Sequence, residues 1–389
     1  MCKKQIEFFD TTLRDGEQTI GVNFDIETKV QIAQELEKWG VDVIEAGFPA
    51  ASKADFKAVQ AVANSLDTAC VTGLARAVTK DIDACYAATK DANHKQIHVF
   101  IATSPIHREF KLHMTKEENL AAIQKYVSYA KQFFEKVEFS PEDATRTEPE
   151  YLVQAINTAI DSGATVINIA DTVGYTNPVE FGKLFDYLQA NVPRFNEVTF
   201  SVHCHNDLGM ADANALAGIE HGASRIEGTI NGIGERAGNS ALEEVAVALK
   251  VRKDFYQAHD NINLEKTRDI CEMVSDYTKM PIPNNKAVVG TNAFSHESGI
   301  HQDGMLKNHS TYEILTPESV GMGATNLPLG KLSGSHAVKQ KIEQLGYDVS
   351  NEEMKIIFPI FKNIADQKPI VSTSDLKVIM NEYEVTANE

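Results

Sequence analysis

Positive charge is in short supply. Against 55 Asp and Glu, this chain of 389 residues sets only 37 Lys and Arg, a net charge of −18. That argues against nucleic acid or an anionic membrane as partner, because binding to phosphates needs a basic face. An anionic substrate must be caught by a few local cations, since long-range attraction is screened beyond about 8 Å. No stretch approaches the ~20 consecutive apolar residues of a membrane-spanning helix. The opening MCKKQIEFFD lacks the apolar core of roughly 7–15 residues that a signal peptide carries. Cysteine is scarce: Cys2, Cys70, Cys85, Cys204 and Cys271 show neither a paired framework nor zinc spacing. Cys70, Cys85 and Cys271 read as small buried apolar residues. Low-complexity segments are absent too. With 43% apolar and 24% charged residues, disorder, collagen and coiled coil are excluded, and a soluble cytoplasmic protein is expected.

What is present is an alternation. Strands are predicted at 6–13, 41–47, 68–74, 96–102, 136–142, 165–171, 198–205 and 225–230, with helical patterns at 27–39, 52–65, 80–90, 116–134, 148–161, 178–190, 211–221 and 241–254. Thr115, Thr147 and Asn177-Pro178 supply cap chemistry. The strands are apolar on both faces, as buried parallel strands must be. Eight such units over about 250 residues match an α/β fold, the TIM (β/α)8 barrel. A doubly wound open sheet would usually carry a Gly-rich phosphate loop after its first strand. Here that place is taken by Thr11-Thr12-Leu13-Arg14-Asp15-Gly16-Glu17, so the barrel is preferred. After Tyr256 the alternation stops. The predicted organisation is a catalytic barrel over 1–256, a linker or lid over 257–345 and a helical subdomain over 346–389, together a mainly helical C-terminal extension.

In a TIM barrel the active site lies at the C-terminal ends of the strands. Those ends carry Arg14-Asp15, Glu45, Arg76, Ser140 with Glu142, Asp171-Thr172 and His203-Cys204-His205-Asn206-Asp207, the fourth strand carries His98, and Asn231–Asn239 follows the last strand. His203 and His205 are the sharpest signal. A spacing of two puts both imidazoles on one face of a strand, with Cys204 on the other. Two neutral imidazoles can share one divalent ion, and a carboxylate from a nearby strand would complete a 2-His-1-carboxylate set. Barrel closure brings Asp15 within reach. Hydrogen-bonded rim histidines are the bland alternative, and the metal reading is preferred to it. Arg14 is either an ion-pair partner of Asp15 or a cation for charge developing on a carbonyl oxygen. Glu142 is either a helix-capping acid or a site residue, and Thr172 could simply cap the next segment of chain. Outside the barrel, His296-Glu297-Ser298-Gly299-Ile300-His301 lacks the spacing of H-E-x-x-H. Its density of polar groups favours a contribution to a site at a domain interface.

Taken together, these residues resemble a known family. Phe9-Asp10-Thr11-Thr12-Leu13-Arg14-Asp15-Gly16-Glu17-Gln18 is similar to the opening signature of the isopropylmalate/homocitrate synthase family. Ser201–Gly209 and Asn231–Asn239 resemble its second signature, and the likeness continues through Gly47–Ala50, Phe100–His107, Phe139–Asp143, Asp171–Tyr175 and Ser295–Gly304. The resemblance implies a divalent metal held by Asp15, His203 and His205, with Asn239 near or on it. Manganese comes first, magnesium or zinc are alternatives, and potassium is a candidate activator. It implies acetyl-CoA and a 2-oxo acid as substrates, joined in a Claisen condensation. Arg14 would contact the carbonyl oxygen and Thr172 the carboxylate, with His98, Ser140 and Glu142 lining the keto-acid pocket. His301 would be the base, with Glu297 nearby. A homodimer is implied as well. Residues 96–107 and 136–143 favour the branched 3-methyl-2-oxobutanoate over 2-oxoglutarate or pyruvate, the substrates of homocitrate and citramalate synthases. A metal-dependent acyl-CoA carbon–carbon lyase is the alternative of another class, and an inactive scaffold is disfavoured by the intact Arg14, Asp15, His203 and His205. Ile20, Ala170 and Gly228 depart from common family residues, and none of them is a proposed ligand. Relatives usually carry a further leucine-binding regulatory domain, whereas this chain ends at Glu389, so leucine feedback is expected to be absent.

Overall fold

The computed structural model describes residues 4–388; Cys2 lies outside them. Its chain forms two compact units, Met1–Ile282 and Pro283–Glu389.

The first unit is the predicted barrel. Its strands are β1 (Glu7–Asp10), β2 (Val43–Glu45), β3 (Cys70–Thr72), β4 (Leu74–Arg76), β5 (Ile97–Ala102), β6 (Val137–Glu142), β7 (Val166–Asp171), β8 (Thr199–Cys204) and β9 (Arg225–Gly228). All pair in parallel, in the order β3-β2-β1-β9-β8-β7-β6-β5-β4. The two ends of that order, β3 and β4, are one chain segment parted only at Gly73, so the sheet closes on itself and eight strand positions result. The third predicted strand, 68–74, is thus two short pieces. Gly73 stays in the ladder, its carbonyl accepting the His98 amide at 3.3 Å. A Cβ at Gly73 would meet the Pro49 ring at 3.0 Å and Cys85 Sγ at 3.1 Å, so the wall leaves no room for a side chain there.

Helices α1 (Ile26–Trp39), α2 (Lys53–Ala63), α3 (Thr79–Thr89), α4 (Lys116–Lys131), α5 (Pro149–Asp161), α6 (Pro178–Asn191), α7 (Ala211–Glu220) and α8 (Leu242–Val251) surround the sheet. Side-chain caps fix the starts of α1, α2, α4 and α6. Thr115 and Glu118 form a reciprocal capping box on α4, and the Asn177 side chain accepts from Val179 and Glu180 ahead of α6. Thr147 does not cap α5. Glu148 holds the cap position, and the Thr147 hydroxyl instead donates to the Asp143 carbonyl at 2.9 Å.

The first unit runs on past residue 256, because α9 (Thr267–Thr278) belongs with it. The fully buried Trp39 of α1 donates its indole N–H to Thr267 Oγ1 at 3.1 Å and sets its ring edge-on to Phe8. Among the described residues, no helix is long and apolar enough to cross a membrane.

The second unit is mainly helical, as expected. It holds α10 (Gly299–Lys307), α11 (Ser335–Gln344), α12 (Asn351–Ala365) and α13 (Thr373–Asn388). Val338, Ile342, Ile357, Phe361, Leu376 and Ile379 form its core, so this unit buries an apolar centre of its own.

Candidate active site

The barrel interior is unusually polar. A belt of hydrogen bonds runs round the inside, just below the C-terminal mouth. Arg14 Nε donates to Glu45 Oε2 at 2.7 Å, and Glu45 Oε1 lies 2.8 Å from His98 Nδ1. Burial opposes ionisation of Glu45, but Arg14 and His98 together bring its pKa down to about 2. An ionised Glu45 only accepts, so His98 carries its proton on Nδ1. The Ser140 hydroxyl lies 2.6 Å from His98 Nε2. Asn168 Nδ2 donates to Ser140 Oγ at 2.8 Å and to Glu227 Oε2 at 3.1 Å. His203 Nδ1 closes the belt, 3.1 Å from the same Glu227 oxygen.

That last bond orients the metal-ligand candidate. With Nδ1 held by Glu227, His203 turns its Nε2 to the mouth. There the Nε2 atoms of His203 and His205 face one oxygen of Asp15, Oδ2, at 3.7 and 3.9 Å. These separations are too long for hydrogen bonds. Three buried donor atoms therefore converge without bonding one another. Burial brings both imidazoles down to a pKa of about 4, so they are neutral and able to ligate. Burial also works against the Asp15 carboxylate, yet Arg14, His205 and His203 hold it well below the usual carboxylate range.

Asn239 joins this group through an antiparallel bridge with His205. Its Nδ2 donates to Asp15 Oδ1 at 2.7 Å. Among the described residues, buried Asn239 Oδ1 has no hydrogen-bond partner, and nor does His205 Nδ1. Gly234 stands against this set at φ 149°, and a Cβ there would overlap Asn239 Nδ2 and meet Asp15 Oδ1 at 2.6 Å. Only glycine fits. A set of two neutral imidazoles, one ionised carboxylate and an unpartnered amide oxygen suits a divalent cation with open positions.

Asp15, His203 and His205 line a cavity of about 300 Å³, which Arg14, His98, Ser140, Glu142 and Thr172 also border. Arg14 Nη1 donates to Asp15 Oδ2 at 2.8 Å, so the guanidinium bridges Asp15 and Glu45. Glu142 does not cap the turn after β6. Lys111 Nζ holds both its oxygens, at 2.7 and 2.9 Å. The Thr172 hydroxyl accepts the Asp143 amide at 2.9 Å. Arg76, read from the sequence as a rim group, turns instead to Asp81 at 2.7 Å.

His301 and Glu297 lie in the second unit, both exposed. His301, on α10, stacks on Tyr312 with ring centroids 4.1 Å apart. His296 is paired with Glu313 at 3.2 Å.

Sequence reasoning missed Glu227 and Asn168. Their signal was a polar residue within a strand, two residues from Arg225 in one case and between Ile167 and Ile169 in the other.

The chain belongs to the HMGL-like family, whose profile matches residues 5–274. A second profile, homocitrate synthase post-HMGL domain-like, matches residues 288–369. The chain is similar to the 2-isopropylmalate synthase of Listeria monocytogenes, at 59% identity over 97% of this chain and 74% of the relative. It is likewise 58% identical to that of Staphylococcus saprophyticus, over 98% and 75%. In fold it is similar to hydroxymethylglutaryl-CoA lyase from Pseudomonas aeruginosa, with a TM-score of 0.61, 18% identity and coverage of 72% of this chain and 95% of that one.

Proposed function

We propose that this protein is a 2-isopropylmalate synthase, condensing acetyl-CoA with 3-methyl-2-oxobutanoate and hydrolysing the thioester to give 2-isopropylmalate and coenzyme A. The observation that carries the reading is the convergence of Asp15, His203 and His205 beside the Arg14 guanidinium, in a chain so similar to the synthases over nearly its whole length.

A divalent cation held by Asp15, His203 and His205, with Asn239 beside it, would supply Lewis-acid polarisation of the 2-oxo carbonyl. Manganese is the first candidate, with magnesium or zinc as alternatives and potassium as a monovalent activator. The chain's own residues do the rest. His98, Ser140 and Glu142 line the keto-acid pocket, and Thr172 contacts the substrate carboxylate. His301, with Glu297 as acidic companion, takes a proton from the methyl group of acetyl-CoA. The carbanion so formed attacks the carbonyl carbon, a carbon–carbon bond forms, and Arg14 stabilises the alkoxide. Protonation of that oxygen and attack of water on the thioester release the thiol.

The same reading makes the protein a cytoplasmic homodimer, with the proposed lid region confined to 283–345 because α9 belongs with the barrel. Around the mouth, Ile20, Phe110, Val179 and Leu208 are exposed. Apolar side chains gathered around a cleft are what a partner copy would cover.

Thiol release from acetyl-CoA tests the activity, with 3-methyl-2-oxobutanoate, pyruvate and 2-oxoglutarate supplied in turn, each with manganese and with EDTA. Manganese-dependent release that is fastest with 3-methyl-2-oxobutanoate is expected. A preference for another acid overturns the substrate assignment, and no release with any acid overturns the synthase reading. Light scattering after gel filtration tests the dimer.

A further inference from the structure

We infer that Lys29 is a positioning residue, whose buried ammonium sets where Arg14 and Asp15 stand in the active site proposed above.

Lys29 lies on the inner face of α1 among Ile32, Ala33, Leu36 and Trp39, and only 1% of it is exposed. An ammonium in such a place is costly unless every hydrogen finds an acceptor. Here each does. Nζ donates to the Leu13 carbonyl at 3.0 Å, to Glu17 Oε2 at 2.6 Å and to the Ala46 carbonyl at 3.4 Å, which uses all three donors.

The choice of acceptors gives the lysine its meaning. Leu13 directly precedes Arg14, and Ala46 directly follows Glu45. One ammonium therefore grips the backbone beside both members of the Arg14–Glu45 pair, whose 2.7 Å bond spans the same two strand ends. Glu17, the third acceptor, also takes the Phe24 amide at 3.0 Å. The turn between is pinned by the Gln18 amide on the Asp15 carbonyl at 2.9 Å. Lys29 touches none of the atoms that face the cavity. It acts through Arg14 and Asp15 by holding the loop that carries them, and a displacement of about 1 Å at such a site can cost on the order of 10²-fold in rate.

The test is Lys29→Met in the full chain, which keeps the stem and removes the ammonium. Manganese affinity is read from the EPR signal of the free ion, alongside kcat, KM and Tm. The expected result is a loss of manganese affinity of roughly 10-fold or more, in the range seen when groups supporting metal ligands are removed, with a fall in kcat and little change in KM. Methylammonium should partly restore manganese affinity to Lys29→Ala. Phe181→Leu, a buried change at α6 away from this loop, should lower Tm with manganese affinity intact. A Lys29→Met protein that melts earlier yet binds manganese and turns over like the parent would make the residue structural only and overturn the proposal. If Lys29→Met does not fold, Glu17→Gln decides, and unchanged manganese affinity there overturns it too. Failure of the synthase reading shows separately, as a parent protein that releases no thiol, and leaves the manganese measurement intact.

Discussion

Two arginines stand at opposite ends of the same barrel, each between two carboxylates. At the N-terminal end, Arg225 donates Nε and Nη2 to Glu7, the Nε bond at 2.9 Å, and Nη1 to Glu138 at 2.9 Å. At the mouth, Arg14 reaches Asp15 at 2.8 Å and Glu45 at 2.7 Å. The pairs look alike, but their surroundings differ. Arg225 is 1% exposed, so its charge is absorbed by the acids that flank it. Arg14 borders a cavity, and its partner Asp15 faces two imidazoles it does not bond. A buried ion pair is weak evidence of stability in itself, but losing one partner leaves an uncompensated charge. The lower arginine answers that requirement of folding. The upper one keeps its charge available to whatever enters the cavity.

Substitutions can break this contrast. The largest effect on stability is expected from Arg225→Met, which removes the cation from Glu7 and leaves Glu138 Oε2 with only Gln96 Nε2 at 2.9 Å. Chemical denaturation should show a loss of about 3–5 kcal/mol, with kcat per folded molecule changed only a few-fold. Arg14→Met should do the reverse. Its kcat and kcat/KM should fall together by about 10²–10³, with a smaller stability loss, because Glu45 keeps its contacts with His98 and Thr11. If Arg14→Met destabilises as much as Arg225→Met, the contrast fails.

Glu227→Gln comes next. It retains the shape of the belt but loses the carboxylate that orients His203, so manganese affinity should weaken by about 10- to 100-fold in equilibrium dialysis.

A separate test concerns Asp10, buried at the end of β1 and bonded to the Thr12 amide and hydroxyl, each at 2.8 Å. Burial pushes its pKa up to about 7. A raised acid is most favourable to folding at low pH, and its contribution fades as pH climbs towards the folded value. Asp10→Asn, permanently neutral, should therefore gain on the parent by about 1.4 kcal/mol per unit between pH 5 and 7. Parallel denaturation curves across that range would refute this.

The barrel was legible because short, largely apolar strand runs alternate eight times with helices that carry a 3.6-residue stripe, local patterns that need no tertiary knowledge. The ligand set was legible for a similar reason. His203 and His205 share a face by strand period alone, and closure then forces the first strand close to them. The belt was not legible. Glu227 and Asn168 are polar letters in two separate strands, and only the closed ring turns them towards each other and towards Ser140. Lys29 could have been caught. Its spacing to Ile32, Ala33 and Leu36 places it on the apolar face of α1, where a lysine demands an explanation. Arg76 misled because proximity to a strand end does not fix direction, and Asp81 offered a nearer partner.

Trp39 is the sole tryptophan of the sequence, wholly shielded from water and clamped between Phe8 and Thr267. Its emission is a built-in optical gauge of whether α1, α9 and the barrel wall are assembled, and Pro283–Glu389 contributes no tryptophan to it. Fluorescence and far-ultraviolet circular dichroism followed in one melt would then report different parts of the chain, and curves that part company would resolve the two units without a single label.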